Sequence, residues 1–501
     1  MKRIALFLLW LVGAVFGLCA QSVPCGTPKH APNLQTRTLT NVRTLREAPA
    51  TAARDVQYIP ITFHLIANGA GEGRVELTNV LELLCYVNQE FTNAEMRFYV
   101  HRINEIDNNG AYQTPTSAAA FLQAQRDPIS VNVYITNTAD SNSGIGLTLG
   151  YYSSQFDYIV IRKDQVSAVN NTAVHELGHF FSLLHPFNGW ESMPFTGTGC
   201  APAISPDGVP TELQDGSNCE TAGDFVCDTP PDYNFGLGWP DCNYDASTPT
   251  GIRDPDCMEL DPDELLHMGY FLNCPFEDYY FTPDQNDLMN VDLASPERDY
   301  LDTNFTPFTG AFVPTTLVSP ADAAFIDSYN HVELDWEPVD GADFYLLRVG
   351  KFASLSNSRA ILVYGTSRVL FDLDPSETYY WNVLPLLADD PCPTISGETR
   401  RFDTGTITAT RAVTALTDWT VHPNPATAGI AIRVDLETAT AFRGHAELID
   451  VTGCVAWQVK PRQFLPGKTS LSIPTDELHV GIYLLTLRAG ERVSRQRIIV
   501  R

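Results

Sequence analysis

Between residues 175 and 185 the chain reads His-Glu-Leu-Gly-His-Phe-Phe-Ser-Leu-Leu-His, and this run constrains the local fold more tightly than any other stretch. The pattern predicts a helix over residues 170–183, on which His175 and His179, four residues apart, share one face a single turn apart. Two imidazoles can then reach one metal ion. Catalytic zinc takes three protein ligands and leaves a fourth position for water. His185 can be the third ligand only if the chain bends back after about residue 182, because a straight helix would carry it away. Glu176, beside the first ligand, is placed to take a proton from water held there. An HExxH string also occurs by chance on amphipathic helices, and it is the third histidine at this offset that favours metal binding.

The run resembles the metzincin consensus HExxHxxGxxH. His185-Pro186-Phe187 and the segment Asn218–Pro231 (NCETAGDFVCDTPP) resemble the pappalysin-type (cytophagalysin) branch of that family. The resemblance covers residues 55 to about 312. It implies an α+β catalytic domain, with a mixed sheet and an active-site helix, in which His175, His179 and His185 hold zinc. Glu176 would activate the zinc-bound water for peptide-bond hydrolysis. Asp224 and Asp228 fall in the block near which relatives bind calcium, although solvated carboxylates in an Asx-turn explain each residue equally well. Met289, in Asn286-Asp-Leu-Met-Asn290, resembles the Met-turn that forms an apolar floor beneath the histidines. The chain departs from the pattern twice. Ser182 stands where metzincins carry the glycine of the turn, and a left-handed backbone there costs a non-glycine residue about 1–2 kcal/mol. Val291 stands where several relatives place an oxyanion-stabilising tyrosine two residues after the methionine.

At 501 residues the chain is long enough for several domains. Residues 1–20 combine Lys2 and Arg3 with an apolar stretch and small residues near Ala20, which reads as a secretory signal peptide. No later stretch is apolar enough to span a membrane. A net charge of −28 disfavours nucleic acid and anionic membranes as partners and favours divalent cations. Of the eleven cysteines, Cys200, Cys219, Cys227, Cys242, Cys257 and Cys274 crowd into the stretch after the zinc motif. In an exported protein they read as three disulfides of undetermined connectivity.

Residues 21–54 contain no aromatic side chain and are predominantly basic, so they cannot form a core of their own and read as a pro-segment lying across the catalytic domain. Cys25-Gly26-Thr27 resembles the latency motif of related proenzymes, in which a thiolate takes the open zinc position. A Cys25–Cys85 disulfide is the equal alternative. The catalytic unit, residues 55–312, opens with a strand at Tyr58–Ile66, where His64 reads as a strand residue. A helix capped by Thr78 follows, with Val80, Leu84, Val87 and Phe91 on one face, then strands at 97–103, 131–136 and 157–163. By resemblance, Gly144–Gly150 is the rim strand that pairs with an extended substrate.

Residues 313–405 change to short alternating strands, and Leu373–Val383 resembles the tyrosine-corner strand of a fibronectin type III sandwich. A linker at 406–418 leads to residues 419–501, which resemble the C-terminal sorting domain of bacterial type IX secretion. The expected architecture is therefore the catalytic domain followed by two all-β sandwiches. The protein is expected outside the cell or on its surface, with the outer-membrane secretion machinery and protein or peptide substrates as partners. The rival reading is a surface adhesin with a structural metal. Glu176 speaks against it, while Ser182 and Val291 speak for it.

Overall fold

The computed structural model describes residues 25–27, 32–47, 54–139, 148–197, 199–235, 251–271 and 274–501. The last stretch has breaks at 276–277, 303, 311–312, 393–396, 408–412, 428, 451–454, 477 and 491. The signal segment, Cys242 and most of the expected rim segment lie outside these residues. Helix α1 (Pro32–Glu47) comes first, followed by β1 (Gln57–Ala67), α2 (Leu77–Glu90) and β2 (Met96–Asp107). Short helices α3 (Asn109–Gln113) and α4 (Ala119–Gln125) lead to β3 (Val131–Thr136), β4 (Gly150–Ser153), β5 (Tyr158–Arg162) and α5 (Thr172–Phe180).

The strands form one sheet in the order β2-β1-β3-β5-β4, parallel except for the antiparallel edge strand β4. Ile59, Ile61, Phe63 and Ile161 face α2 and α5, while Ile66, Tyr134, Tyr158 and Val160 face α3 and α4. A parallel sheet covered on both faces explains why these strands read as near-continuous apolar runs. On α2, Val80, Leu84 and Val87 are fully buried, as their spacing predicts, each stabilising the fold by about 1.5–3 kcal/mol. Thr78 is not the cap. The helix begins at Leu77 after an extended Glu76 that makes no side-chain capping bond. The edge strand starts at Gly150, the last residue of the expected rim segment.

Helix α1 was not anticipated, and it explains how a segment without its own core is held. Leu34 and Val42 enter the core between the sheet and helices α2 and α5. The buried polar residues Thr38 and Asn41 reach the carbonyl and hydroxyl of Ser182 at 2.7 and 3.0 Å, and Asn41 also donates to Asp292 at 2.7 Å. Arg37 pairs with the same carboxylate at 2.9 Å. Asp292 lies on α6 (Pro283–Leu293), which starts with a capping box formed by Thr282 and Gln285. Between α5 and α6 the described residues are almost wholly irregular and are braced by Cys200–Cys257 and Cys219–Cys227. Cys274 is disulfide-bonded as well.

The next eight strands are β6 (Leu317–Ser319), β7 (Ala324–Ser328), β8 (Val332–Trp336), β9 (Phe344–Gly350), β10 (Arg359–Val363), β11 (Ser367–Leu370), β12 (Thr378–Leu386) and β13 (Arg400–Ile407). They make two sheets, β10-β9-β12-β13-β7 and β11-β8-β6, closed on Trp336 and Trp381. The hydroxyl of Tyr379 accepts the Asp374 amide at 2.8 Å, as a tyrosine corner should. This module is not a free spacer. Phe344, Leu346, Leu384 and Leu386 belong to the same core as α2 and α5, Val100 donates to the Ala388 carbonyl at 2.8 Å, and Cys85 is bonded to Cys392.

Strands β14 (Leu416–His422), β15 (Ile432–Thr438), β16 (Phe442–Asp450), β17 (Val455–Phe464), β18 (Gly467–Ile473), β19 (Gly481–Ala489) and β20 (Arg492–Val500) build the second sandwich. Its sheets are β14-β15-β18 and β17-β16-β19-β20. Arg368–Asp418 at 2.6 Å ties it to the first sandwich.

Candidate metal centre

Helix α5 brings His175 and His179 to one face, and the chain then turns back as the spacing requires. Ser182 makes that turn with φ +69°, so a serine occupies the left-handed position. Its strain is offset locally by the hydrogen bonds from Thr38 and Asn41. His185 returns so that its Nε2 lies 3.2 Å from that of His175 and 3.1 Å from that of His179. Two nitrogens bound to one zinc ion in tetrahedral geometry stand about 3.3 Å apart, so the spacing fits a shared metal.

The outward nitrogens explain why the inner ones converge. Nδ1 of His175 donates to the His267 carbonyl at 2.8 Å and Nδ1 of His179 to the Leu183 carbonyl at 2.8 Å. Nδ1 of His185 faces Glu191 at 3.5 Å. With protons turned outward, unprotonated Nε2 lone pairs meet at the centre, where they repel one another unless a cation lies between them. Burial lowers the pKa of His175 to about 4 and holds those of His179 and His185 well below the usual range. The rings are therefore in the neutral form that ligates metals.

Among the described residues, Cys25 completes the set. Its Sγ and one nitrogen of each histidine all lie within 4.8 Å of one another. The Cys25–Cys85 alternative is excluded, because Cys85 pairs with Cys392 and Cys25 is a buried free thiol. Cys25 bridges to Gly150, Gly26 donates to the Gly150 carbonyl at 2.8 Å, and the Thr27 hydroxyl accepts the Tyr152 amide at 3.0 Å. The segment thus occupies the free edge of β4. A Cβ on Gly150 would meet the Val160 carbonyl at 3.1 Å and Cγ of Glu176 at 3.2 Å, so glycine lets the edge strand approach α5.

Glu176 is fully buried. Its Oε2 accepts from Thr27 at 3.1 Å and lies 3.6 Å from the Cys25 thiol, while Oε1 has no partner. Burial raises its pKa to about 8 against those hydrogen bonds. An orphaned carboxylate oxygen beside three convergent lone pairs is what a site built around a cation and a water leaves behind.

Met289 does not form the floor. It is buried within α6, which packs on α1 and on the turn at Thr92–Ala94. The methionine against the active-site helix is Met268, whose sulfur would lie 2.4 Å from a Cβ on Gly178. Two residues on, Tyr270 stands with its ring centroid 5.0 Å from that of His185 and 6.0 Å from that of His175, and its hydroxyl donates to the Cys25 carbonyl at 3.3 Å. A tyrosine hydroxyl, absent at Val291, thus stands beside the three histidines at Tyr270. The signal was in the sequence: of the six methionines, Met268 alone has tyrosine two residues later.

His64 is a strand residue, with its ring nitrogens facing Asn132 at 3.0 Å and Asn104 at 3.3 Å. Asp224 and Asp228 make separate hydrogen bonds, and the charge of Asp228 adds to the upward pKa shift of Asp224. Asp228 caps α6, accepting from Thr282 at 2.6 Å and the Asp284 amide at 2.9 Å. Asp224 is buried and accepts from the Val226 amide and the Thr229 hydroxyl. A second acidic neighbour of Asp224 is Glu212, also buried, whose Oε2 has no partner. Burial raises Asp224 to about 7 and Glu212 to about 10, and the charge of Asp224 adds to the Glu212 shift.

Residues 420–501 match the family described as secretion system C-terminal sorting domain. This assigns the second sandwich to type IX secretion and the protein to the cell surface or the exterior. No helix among the described residues is long and apolar enough to cross a membrane. No curated protein matches the chain. Similar solved structures include chicken CNTN1 FN1–FN3 domains, at 15% identity over 38% of this chain and 69% of that one, with a TM-score of 0.15. Another is the fn3 domain of human collagen alpha-1(XX) chain, at 23% identity over 20% of this chain and 93% of that one, with a TM-score of 0.16.

Proposed function

We propose that this secreted protein is a zinc-dependent endopeptidase made as a latent precursor. The observation that supports the reading best is the meeting of three neutral imidazole nitrogens, their protons turned outward, beside the buried carboxylate of Glu176. His175, His179 and His185 would hold zinc, with Cys25 as fourth ligand in the precursor. When bound, zinc supplies a Lewis acid that polarises the scissile carbonyl and acidifies the attacking water.

The remaining chemistry belongs to the chain. An extended peptide replaces Cys25–Thr27 on the edge of β4 and is positioned by backbone hydrogen bonds. Glu176 takes the proton of the attacking water on its carboxylate and passes it to the leaving amine. Tyr270, freed from the Cys25 carbonyl, turns its hydroxyl toward the developing oxyanion. The two features that favoured an adhesin lose their weight, since Ser182 adopts the required turn and Tyr270 provides the hydroxyl. For calcium the better pair is Glu212 with Asp224, two buried carboxylates that a divalent cation would neutralise. A calcium-selective chelator is expected to lower the melting temperature without removing zinc, and an unchanged melting temperature argues against calcium.

The full-length Cys25→Ala variant, loaded with zinc, tests the reading. It is expected to cleave an unfolded protein while the untreated wild type does not. Zinc bound at one equivalent without cleavage would leave only a structural metal.

A further inference from the structure

We propose that Glu90 is a positioning residue of the metal site, acting through His267 on His175. This rests on the zinc reading above and assigns a role to a buried pair outside the motif. Glu90 is the last residue of α2, and its Oε2 lies 3.0 Å from Nε2 of His267. The two side chains are 9% and 0% exposed, respectively. The other ring nitrogen of His267 lies 2.6 Å from Oδ1 of Asn171, and Nδ2 of Asn171 donates back to the His267 carbonyl at 3.0 Å. That same carbonyl accepts from Nδ1 of His175 at 2.8 Å. Asn171 is the N-cap residue of α5, and its carbonyl accepts the His175 amide at 3.0 Å.

One unit thus holds both the ring and the backbone of the first ligand. His267 cannot slide, because its amide donates to the Tyr280 carbonyl at 3.1 Å and its ring packs 4.5 Å from that of Phe281. Glu90 is the remaining anchor and comes from the regular half of the catalytic unit. Its helix is fastened to the first sandwich by Cys85–Cys392 and by Asn88, which donates to the Asp389 carbonyl at 3.1 Å. The docked module therefore steadies the helix from which the site is held.

Partners behind a metal ligand commonly change metal affinity by about 10–100-fold when lost. Zinc affinity of the full-length chain, read by competition with a chromophoric chelator, tests the role. Glu90→Ala is expected to bind zinc about tenfold more weakly than wild type, with Glu90→Gln, a weaker acceptor of the same shape, between them. Should the alanine variant fail to fold, the glutamine variant decides, with about threefold weaker binding expected. Wild-type zinc affinity in a folded Glu90 variant, even with a lower melting temperature, overturns the role and leaves Glu90 purely structural. A wild-type chain that binds no zinc removes both this inference and the function on which it rests.

Discussion

The two halves of the unit that carries the histidine cluster are built on different principles. Residues 57–180 make a regular sheet-and-helix layer in which apolar periodicity places almost every side chain. Among the described residues of 181–282 there are almost no regular elements, and these residues are held by disulfides, buried polar groups and single-residue turns. Both halves deliver the centre: α5 brings His175, Glu176 and His179, while the irregular half brings His185, the His267 carbonyl, Met268 and Tyr270. Ligands can therefore come from a repeating element, but the groups that orient them are fixed by one-off contacts, and damage to the two halves should look different.

The sharpest contrast is chemical. Tyr270→Phe removes one hydroxyl from the irregular half and leaves the imidazoles in place. It is expected to lower kcat by about 10²–10³-fold with zinc content unchanged, read from steady-state cleavage and metal analysis. Equal activity would mean that the Tyr270 hydroxyl takes no part in the chemistry. Breaking the covalent brace comes next. Cys200→Ser with Cys257→Ser opens a bridge spanning 57 residues, and a loss of about 2–4 kcal/mol in denaturant unfolding is expected. An unchanged midpoint would mean that the irregular half is held by its other contacts.

A pH effect of intermediate size belongs to the same half. Asp232 is fully buried in it, and burial raises its carboxyl to about 7 against the Asn234 amide bond. The folded state keeps the proton where the unfolded chain has lost it, so stability falls as pH rises from about 4 to 7. Asp232→Asn is expected to flatten that part of the stability profile, and an unaltered slope would contradict the assignment. The smallest effect is expected at the junction of the halves. Ser182→Gly relieves about 1 kcal/mol of left-handed strain but loses the hydroxyl that accepts from Asn41, itself worth about 1 kcal/mol. Thermal unfolding should shift little, and a large shift either way would show that one term dominates.

The same contrast marks how far the sequence could be read. Strands β1, β2, β3 and β5 and the buried face of α2 follow from alternation and helical spacing, and the convergence of His175 and His179 is legible in HELGHFFSLLH because α5 is regular. The sequence could not pair the cysteines, since connectivity depends on the path of the chain. Helix α1 has no apolar signature along its whole buried face, because that face includes Thr38 and Asn41, whose partners Ser182 and Asp292 meet them only in the folded protein. Distance from the zinc motif points to Met289, whereas a tyrosine two residues later marks Met268, the methionine that lies against α5. Glu90 had no local signature, because its role exists only once α2 and His267 meet.

The most direct test of the central claim compares zinc-loaded full-length Cys25→Ala protein with the same protein carrying Glu176→Ala, using an unfolded protein as substrate. The account predicts cleavage by the first and a loss of at least about 10²-fold in the second, with equal zinc in both. Equal cleavage by the two, or none by either with zinc in place, would contradict it.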